Sequence, residues 1–291
     1  MLYTVSHITR HLYESPVSQS LSELRLTPRS LPSQRVHSSE IHLQPAAFDS
    51  ASRKDYFGND VTTVSVYEPH TCLAIQGSSV VEVLPPPMNG APTLSWEESR
   101  DQLAAQNCPG CLEALEFVFD SPFITRGPEL AEFARPTFIA RRPMFEALQD
   151  LMSRIHAEFR YRPKSTAIDM PLLEVLRKRE GVCQDFAHIM IGALRSLRLA
   201  ARYVSGYLRS SPTLRGAAES HAWVSVFVPG TGWLSFDPTN DLMPSEGHIT
   251  LAWGRDYGDV TPVKGIAFGG SAQTVEVEVR VTQHADGRRR L

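Results

Sequence analysis

Cys183 stands at the head of an apolar-striped segment, and two residues downstream could make it a nucleophile. A thiol attacks a carbonyl as thiolate, so it needs a base to take its proton. The imidazole that serves as base needs a carboxylate to hold its tautomer and stabilise its cation. His221 opens one extended segment and Asp237 ends the next, and the turn Pro229-Gly-Thr-Gly232 between them reads as a hairpin. Pairing about that turn brings Asp237 within a residue or two of facing Trp223, close to His221 on the ladder, with the register itself left open. The bland alternative for Cys183 is a small core residue, as most free cysteines are. For Asp237 it is a cap on the turn into Pro238. If the triad forms, an Asn at 237 is expected to reduce turnover modestly and an Ala severely, because a thiolate can itself stabilise the imidazolium.

The elements that must position these residues follow from periodicity. Cys183, Phe186, Ala187, Met190, Ile191, Leu194 and Leu197 recur at i, i+3, i+4 and i+7, so Cys183–Leu197 is expected as a buried helix. Cys183 then lies in its first turn, where the macrodipole favours thiolate. Ala201–Tyr207, His221–Val228 and Trp233–Asp237 read as strands. Upstream, Trp96–Gln106, Pro128–Arg135 and Pro143–Phe159 read as helices, the last with Phe145, Leu148, Met152, Ile155 and Phe159 on one face. Another opens at Asp169 as N-cap with Pro171 in its first turn, and ends at Arg177, Lys178 and Arg179 with Gly181 just beyond. Before them, residues 1 to about 95 read as β. Leu2–Leu12 alternates, short strands gather around Leu24, Val36 and Ile41, and Val61–Val66 and Leu73–Val83 follow. Turn clusters at Ser15-Pro16, Thr27–Ser33, Gly58-Asn59-Asp60 and Gly77-Ser78-Ser79 separate them. Pro85-Pro86-Pro87 through Pro92 marks a boundary. The chain is therefore expected to be α+β, with an N-terminal antiparallel sandwich-like β domain (1–95), a helical connector (96–142) and a core in which the Cys-bearing helix packs on an antiparallel sheet (143–291). Val275, Val277, Val279 and Val281 make a last strand, and Arg288-Arg289-Arg290 a solvated end.

Composition narrows the classes. With 42% hydrophobic and 21% charged residues over 291 positions, the chain is globular. Its 29 Lys+Arg against 32 Asp+Glu give a net charge of -3, which supplies no field to gather nucleic acid or anionic lipid. The longest apolar runs, such as Phe186–Leu194, are short and interrupted by His188 and Gly192, so no membrane span of about 20 residues is expected. MLYTVSHITRHLYES lacks a signal-peptide apolar region, and four cysteines do not make a disulfide framework, so a cytoplasmic location is expected.

Several segments together carry a resemblance. Gly181-Val-Cys-Gln-Asp-Phe-Ala-His188, Ala201-Arg-Tyr-Val-Ser-Gly-Tyr207, Ser220-His-Ala-Trp223 and Trp233-Leu-Ser-Phe-Asp-Pro-Thr-Asn240 resemble the bacterial transglutaminase-like family, within the papain-like cysteine enzyme superfamily. Asp55-Tyr-Phe-Gly-Asn59 with Pro69-His70 is similar to its N-terminal β domain, and Gly254-Arg-Asp-Tyr-Gly-Asp-Val-Thr-Pro262 to a further signature. The resemblance implies Cys183 as nucleophile, His221 as general base and Asp237 as orienting acid. It also implies acyl transfer or hydrolysis at amide bonds of a peptide or protein through a thioester. Water as acceptor would make a protease or amidase, and a primary amine a transglutaminase. A catalytically silent binding module that kept the fold is the rival reading.

Other residues carry weaker expectations. Asp256 and Tyr257, in the last signature, are nominated as substrate contacts. Trp223 and Trp253 could line an acyl tunnel or fill the core, with the core favoured. The backbone N–H of Cys183 is one oxyanion donor by geometry, and Tyr161 is a nominee for the other. Asp185 suits a helix first turn, and His188 a structural hydrogen bond. Cys108-Pro-Gly-Cys111 has no second ligand pair and is expected in a loop, and no D-x-[DN]-x-[DN]-G loop is present. No cofactor or metal is expected, and the partner expected is a peptide or protein substrate, with no nucleic acid or membrane.

Overall fold

Polar and apolar residues alternate from Leu2 far beyond the expected dozen residues, and the result is one long strand, β1 (Leu2–Leu24). The computed structural model describes residues 1–85, 94–163, 170–211, 214–216 and 219–284. Its first sheet is built around β1 with β2 (Gln34–Gln44), β3 (Asp49–Lys54), β4 (Asp60–Val66) and β5 (His70–Val83), in the order β2-β5-β1-β4-β3. Pairing of β1 with β5 shifts register between Leu12 and Val17. The expected turn at Ser15-Pro16 is therefore corrected to an irregularity within one strand, where a proline without an N–H is tolerated. Gly77-Ser78-Ser79 is likewise no turn but mid-strand in β5. A Cβ on Gly77 would stand 3.0 Å from Leu26 Cβ, so glycine serves close approach there. The exposed β3 carries no burial alternation that could have announced it.

Helices follow: α1 (Trp96–Ala104), α2 (Cys111–Leu115), α3 (Pro128–Ala134) and α4 (Met144–Glu158). Ser95 and Glu98 form a capping box at the start of α1. Cys108 and Cys111 are bonded to each other across their turn, their Cα atoms 5.3 Å apart. The expected loop is corrected at Cys111, which opens a short helix. After α4 come β6 (Arg160–Tyr161), α5 (Leu172–Lys178), β7 (Glu180–Gly181) and α6 (Cys183–Ser196). The residue before α5 is Pro171. The nominated cap Asp169 lies outside the described residues, as do Pro86–Pro92 of the boundary and the Arg288–Arg290 tail.

The second sheet comprises β8 (Ala201–Leu208), β9 (His221–Val228), β10 (Gly232–Phe236) and β11 (His248–Gly254) in the antiparallel order β10-β9-β8-β11, followed by the short helix α7 (Tyr257–Val260). Ala222, Val224, Val226 and Val228 on one face of β9 share a core with Phe186, Met190 and Leu194 of α6. Burial on both faces explains why β9 reads as a continuous apolar run. The fold class is α+β, as expected. The last boundary is corrected. β12 (Val263–Gly269) and β13 (Gln273–Gln283) both pair antiparallel with β1, so the chain returns to the first sheet and does not end in the core. Alternation at Val275–Val281 signalled a strand but not its neighbour.

Two buried amides join the sheets. The Gln34 amide donates to Thr250 O (2.8 Å) and accepts from Thr250 N (2.7 Å). The Asn59 amide donates to Trp253 O (2.9 Å) and accepts from Trp253 N (3.0 Å). Both bond to β11, the edge strand, and take the place a further strand would occupy. No helix among the described residues is long and apolar enough to cross a membrane.

Candidate functional site

Cys183 is the first residue of α6, and the turn is fixed by Asp185, whose carboxylate accepts the Val182 N–H at 2.8 Å. The helix is held by Arg195, which is wholly buried. Its guanidinium donates to the carbonyls of Phe117, Phe119, Ala201 and Arg255 and to Ser121 Oγ, tying α6 to β8 and to the segment before α7. Sequence reasoning missed this residue, because an Arg near a helix C-terminus reads as an ordinary dipole partner.

His221 begins β9 and Asp237 follows β10. The hairpin pairs Ser235 with Ser225 and Phe236 with Val224, so Asp237 arrives beside Trp223, the register left open by the sequence. His221 Nε2 donates to Asp237 Oδ2 at 2.8 Å, with both side chains buried. Among the described residues no nitrogen or oxygen atom pairs with Nδ1, which leaves it to the Cys183 sulfur. Burial by itself would lower the His221 pKa. The Asp237 carboxylate, its hydrogen bond and the nearby Cys183 sulfur outweigh burial and raise the pKa to about 10. Cys183 thus lies within the electrostatic reach of the imidazole whose other nitrogen Asp237 holds. On the Nδ1 side, a Cβ placed on Gly216 would sit 2.8 Å from Nδ1 and 3.7 Å from Tyr161 Oη, and Gly216 has φ +82°.

Asp237 is the most crowded acceptor of the site. Oδ1 accepts from the backbone N–H of Thr239 (2.9 Å) and of Asn240 (3.2 Å). Oδ2 accepts from His221, from Asn240 Nδ2 (2.9 Å) and from His248 Nε2 (3.4 Å). Burial opposes ionisation, yet these donors and the His221 cation hold the carboxyl well below the usual carboxylate range. Asn240 and His248 were not assigned roles from sequence. Asn240 stood inside the quoted Asp-Pro-Thr-Asn segment, three residues past the acid. His248 has no sequence signal, because the non-consecutive pairing of β11 with β8 brings it there.

The remaining nominees separate. Tyr161 is placed by the parallel pairing of β6 with β7 beside Gly181, and the Cys183 and Asp237 charges, after burial, raise its pKa. Tyr257 also feels the Cys183 charge. Asp256 is fully buried, and its carboxylate accepts from the N–H groups of Gly258 (2.9 Å) and Phe123 (2.9 Å), so it caps α7 and is spent on backbone. Trp223 is buried, edge-on to His248 with ring centroids 5.3 Å apart. His188 accepts the Tyr257 N–H at 3.2 Å through Nε2, and burial lowers its pKa to about 3, so it stays neutral. Tyr203, buried on β8, also lies near the thiol, and burial and the Cys183 charge raise its pKa.

Family models match two segments of the chain: the bacterial transglutaminase-like N-terminal region at residues 3–82 and the transglutaminase-like superfamily at residues 132–238. An uncharacterized protein of Mycobacterium tuberculosis is 40% identical over 288 residues, covering 94% of this chain and 90% of its own length. A protein-glutamine gamma-glutamyltransferase of Pseudomonas aeruginosa is 33% identical over 97 residues, 31% of this chain and 14% of that protein. A solved structure of a candidate cysteine protease from Cytophaga hutchinsonii superposes with a TM-score of 0.75 at 20% identity, covering 98% of this chain and 92% of that one, and shares the fold. Both sheets, the order of the segments and these matches place the chain in the bacterial transglutaminase-like family.

Proposed function

We propose that the protein is a cysteine-nucleophile enzyme that hydrolyses or transfers the acyl group of amide bonds in a peptide or protein. The observation that carries this reading is the buried His221–Asp237 pair, whose imidazole also interacts with the Cys183 thiol. The imidazole takes the thiol proton, and the thiolate adds to the amide carbonyl carbon. The Cys183 N–H and the Tyr161 hydroxyl are the donors assigned to the resulting oxyanion. Collapse breaks the C–N bond, imidazolium protonates the leaving amine, and an acyl thioester remains on Cys183. Water or a primary amine then adds to the thioester, giving its proton to His221 and expelling the thiolate. The two outcomes share every residue up to that step, so the acceptor decides between hydrolase and transamidase.

The test is incubation with a glutamine-containing peptide library in the presence and absence of a fluorescent primary amine, reading peptide cleavage, ammonia release and amine incorporation together. Turnover lost in Cys183→Ala supports the reading. No turnover, with Cys183 no more reactive to iodoacetamide than exposed Cys72, would favour a silent binding module.

A further inference from the structure

On the face of the second sheet turned away from α6, Arg202 is held between two indoles. Its Cζ lies 4.0 Å from the ring centre of Trp233 and 3.8 Å from that of Trp253. Both faces of the guanidinium are thereby covered, leaving only its edge to form hydrogen bonds. Among the described residues nothing uses that edge: Nε is enclosed without a hydrogen-bond partner, and Arg202 forms no ion pair. Burial, and repulsion from Arg29, lower its pKa to about 9, which leaves it a cation at neutral pH. Its neighbour Arg29, stacked 3.5 Å from the Trp253 centre, differs, since its Nη1 donates to Phe57 O and to Asn59 Oδ1. Glu113 and Glu116 border an adjoining hollow that also touches Arg202, yet neither pairs with it.

Arg202 is half-buried, so the rest of its fork opens toward solvent and no carboxylate among the described residues meets it. A fold that needed only an apolar filler between two indoles would be served by methionine. Arg202 borders a cavity of about 680 Å³, in the range of small-ligand sites. The accessible apolar lining comes from Leu31, Leu84, Trp233 and Trp253, with Ser235 and Thr250 beside them.

We propose that this cavity binds an organic monocarboxylate with an apolar body, the carboxylate taken by the free edge of Arg202 and the body laid against Leu31 and Leu84. The planar fork of a guanidinium matches two carboxylate oxygens, and one unpaired cation calls for one negative charge. The source is either a free aliphatic or aryl acid or the C-terminal carboxylate of a peptide. Trp223 is the partition between this cavity and the site of thiol chemistry, because its ring also contacts His221 and His248, at centroid distances of 6.2 Å and 5.3 Å.

The test is titration calorimetry of the full chain with 4-phenylbutyrate and 4-phenylbutanamide, and with acetyl-Ala-Phe as free acid and as amide. One acid of a pair should bind one-to-one, at least about tenfold more tightly than its amide, since charge-assisted bonds are worth that much. Which pair discriminates tells a free acid from a peptide terminus. Arg202→Met should abolish the acid preference while the melting temperature holds or rises, and Cys183→Ala should bind like wild type, which separates this site from the thiol reading. Acid and amide of both pairs binding wild type alike, or none binding below about 10 mM, a floor near the weak end of the affinity scale, would overturn the proposal without any variant. An acid preference that survives in Arg202→Met would overturn the assignment to this residue.

Discussion

Five donors converge on the Asp237 carboxylate, and this changes what substitution should do. An Asn side chain would keep its oxygen toward the backbone N–H groups of Thr239 and Asn240 and turn its NH2 toward His221, His248 and the Asn240 amide, all donors. His221 Nε2 could then only accept, which moves the imidazole proton to Nδ1, where the base is needed. Asp237→Asn is therefore expected to lose turnover toward the roughly 10⁴-fold tautomer penalty of serine enzymes, and not the modest loss that sequence alone suggested. Turnover per titrated active thiol, together with the pH profile of Cys183 alkylation, measures it. An Asn variant retaining more than about a tenth of wild-type turnover would show that the thiolate alone holds the imidazolium. If Cys183 is the nucleophile as proposed, Cys183→Ala should fall below about 1% of wild type with its melting temperature nearly unchanged. Gly216 belongs to the same scale. A methyl at φ +82° is strained and would press on His221 Nδ1, so Gly216→Ala should reduce turnover more than stability.

At the scale of elements, the site depends on α6 and on the edge of β11, and each is pinned by a buried polar side chain. Arg195→Met would leave the carbonyls of Phe117, Phe119, Ala201 and Arg255 without their donor. Each orphaned buried group costs about 1–3 kcal/mol, so a loss of at least about 3 kcal/mol in denaturant unfolding is expected. Asn59→Ala removes both bonds to Trp253 and uncovers a β11 edge. It should destabilise by about 1–3 kcal/mol, and amide exchange at Trp253 should accelerate while exchange within α6 does not. The helix with its thiol was legible because its apolar stripe follows a 3.6-residue period. The two clamps were not, because a lone Arg, Gln or Asn looks the same whether it meets water or a distant carbonyl.

For the whole molecule, acid is expected to weaken the contact between the two sheets. His7 on β1 bonds through Nδ1 to Tyr207 Oη of β8 (2.9 Å) and through Nε2 to Thr9 Oγ1 (3.1 Å). Burial lowers its pKa from 6.5 to about 4, and that of His188 from 6.5 to about 3. A depressed histidine contributes stability that is present above its ordinary 6.5 and is lost as pH falls through the folded value. The melting temperature should therefore drop between pH 6.5 and about 4, and His7→Gln, which keeps polar partners without titrating, should flatten that drop. His221 acts at the other end. Its raised pKa gives a contribution that is complete below 6.5 and lost as pH rises through about 10. An unchanged acid limb in His7→Gln would move the lability to His188 or to the carboxylates.

Residue type and local spacing determined the chemistry on offer: a thiol in the first turn of a buried helix, a hairpin with His and Asp on adjacent strands, and β structure before the proline run. These depend on period and turn composition, which neighbours a few residues apart encode. The rest depended on contacts between segments far apart in the chain. The return of β12 and β13 to β1, the pairing of β11 with β8 that carries His248, and the clamping of β11 by Gln34 and Asn59 join residues separated by up to 280 positions. So did the enclosure of Arg202 between Trp233 and Trp253, since only packing decides whether a cation beside an aromatic residue ends in solvent or between two rings. Local sequence sets which backbone conformations are cheap. Which strand finds which edge is decided by burial of the whole apolar surface at once, and no single stretch of the chain carries that sum.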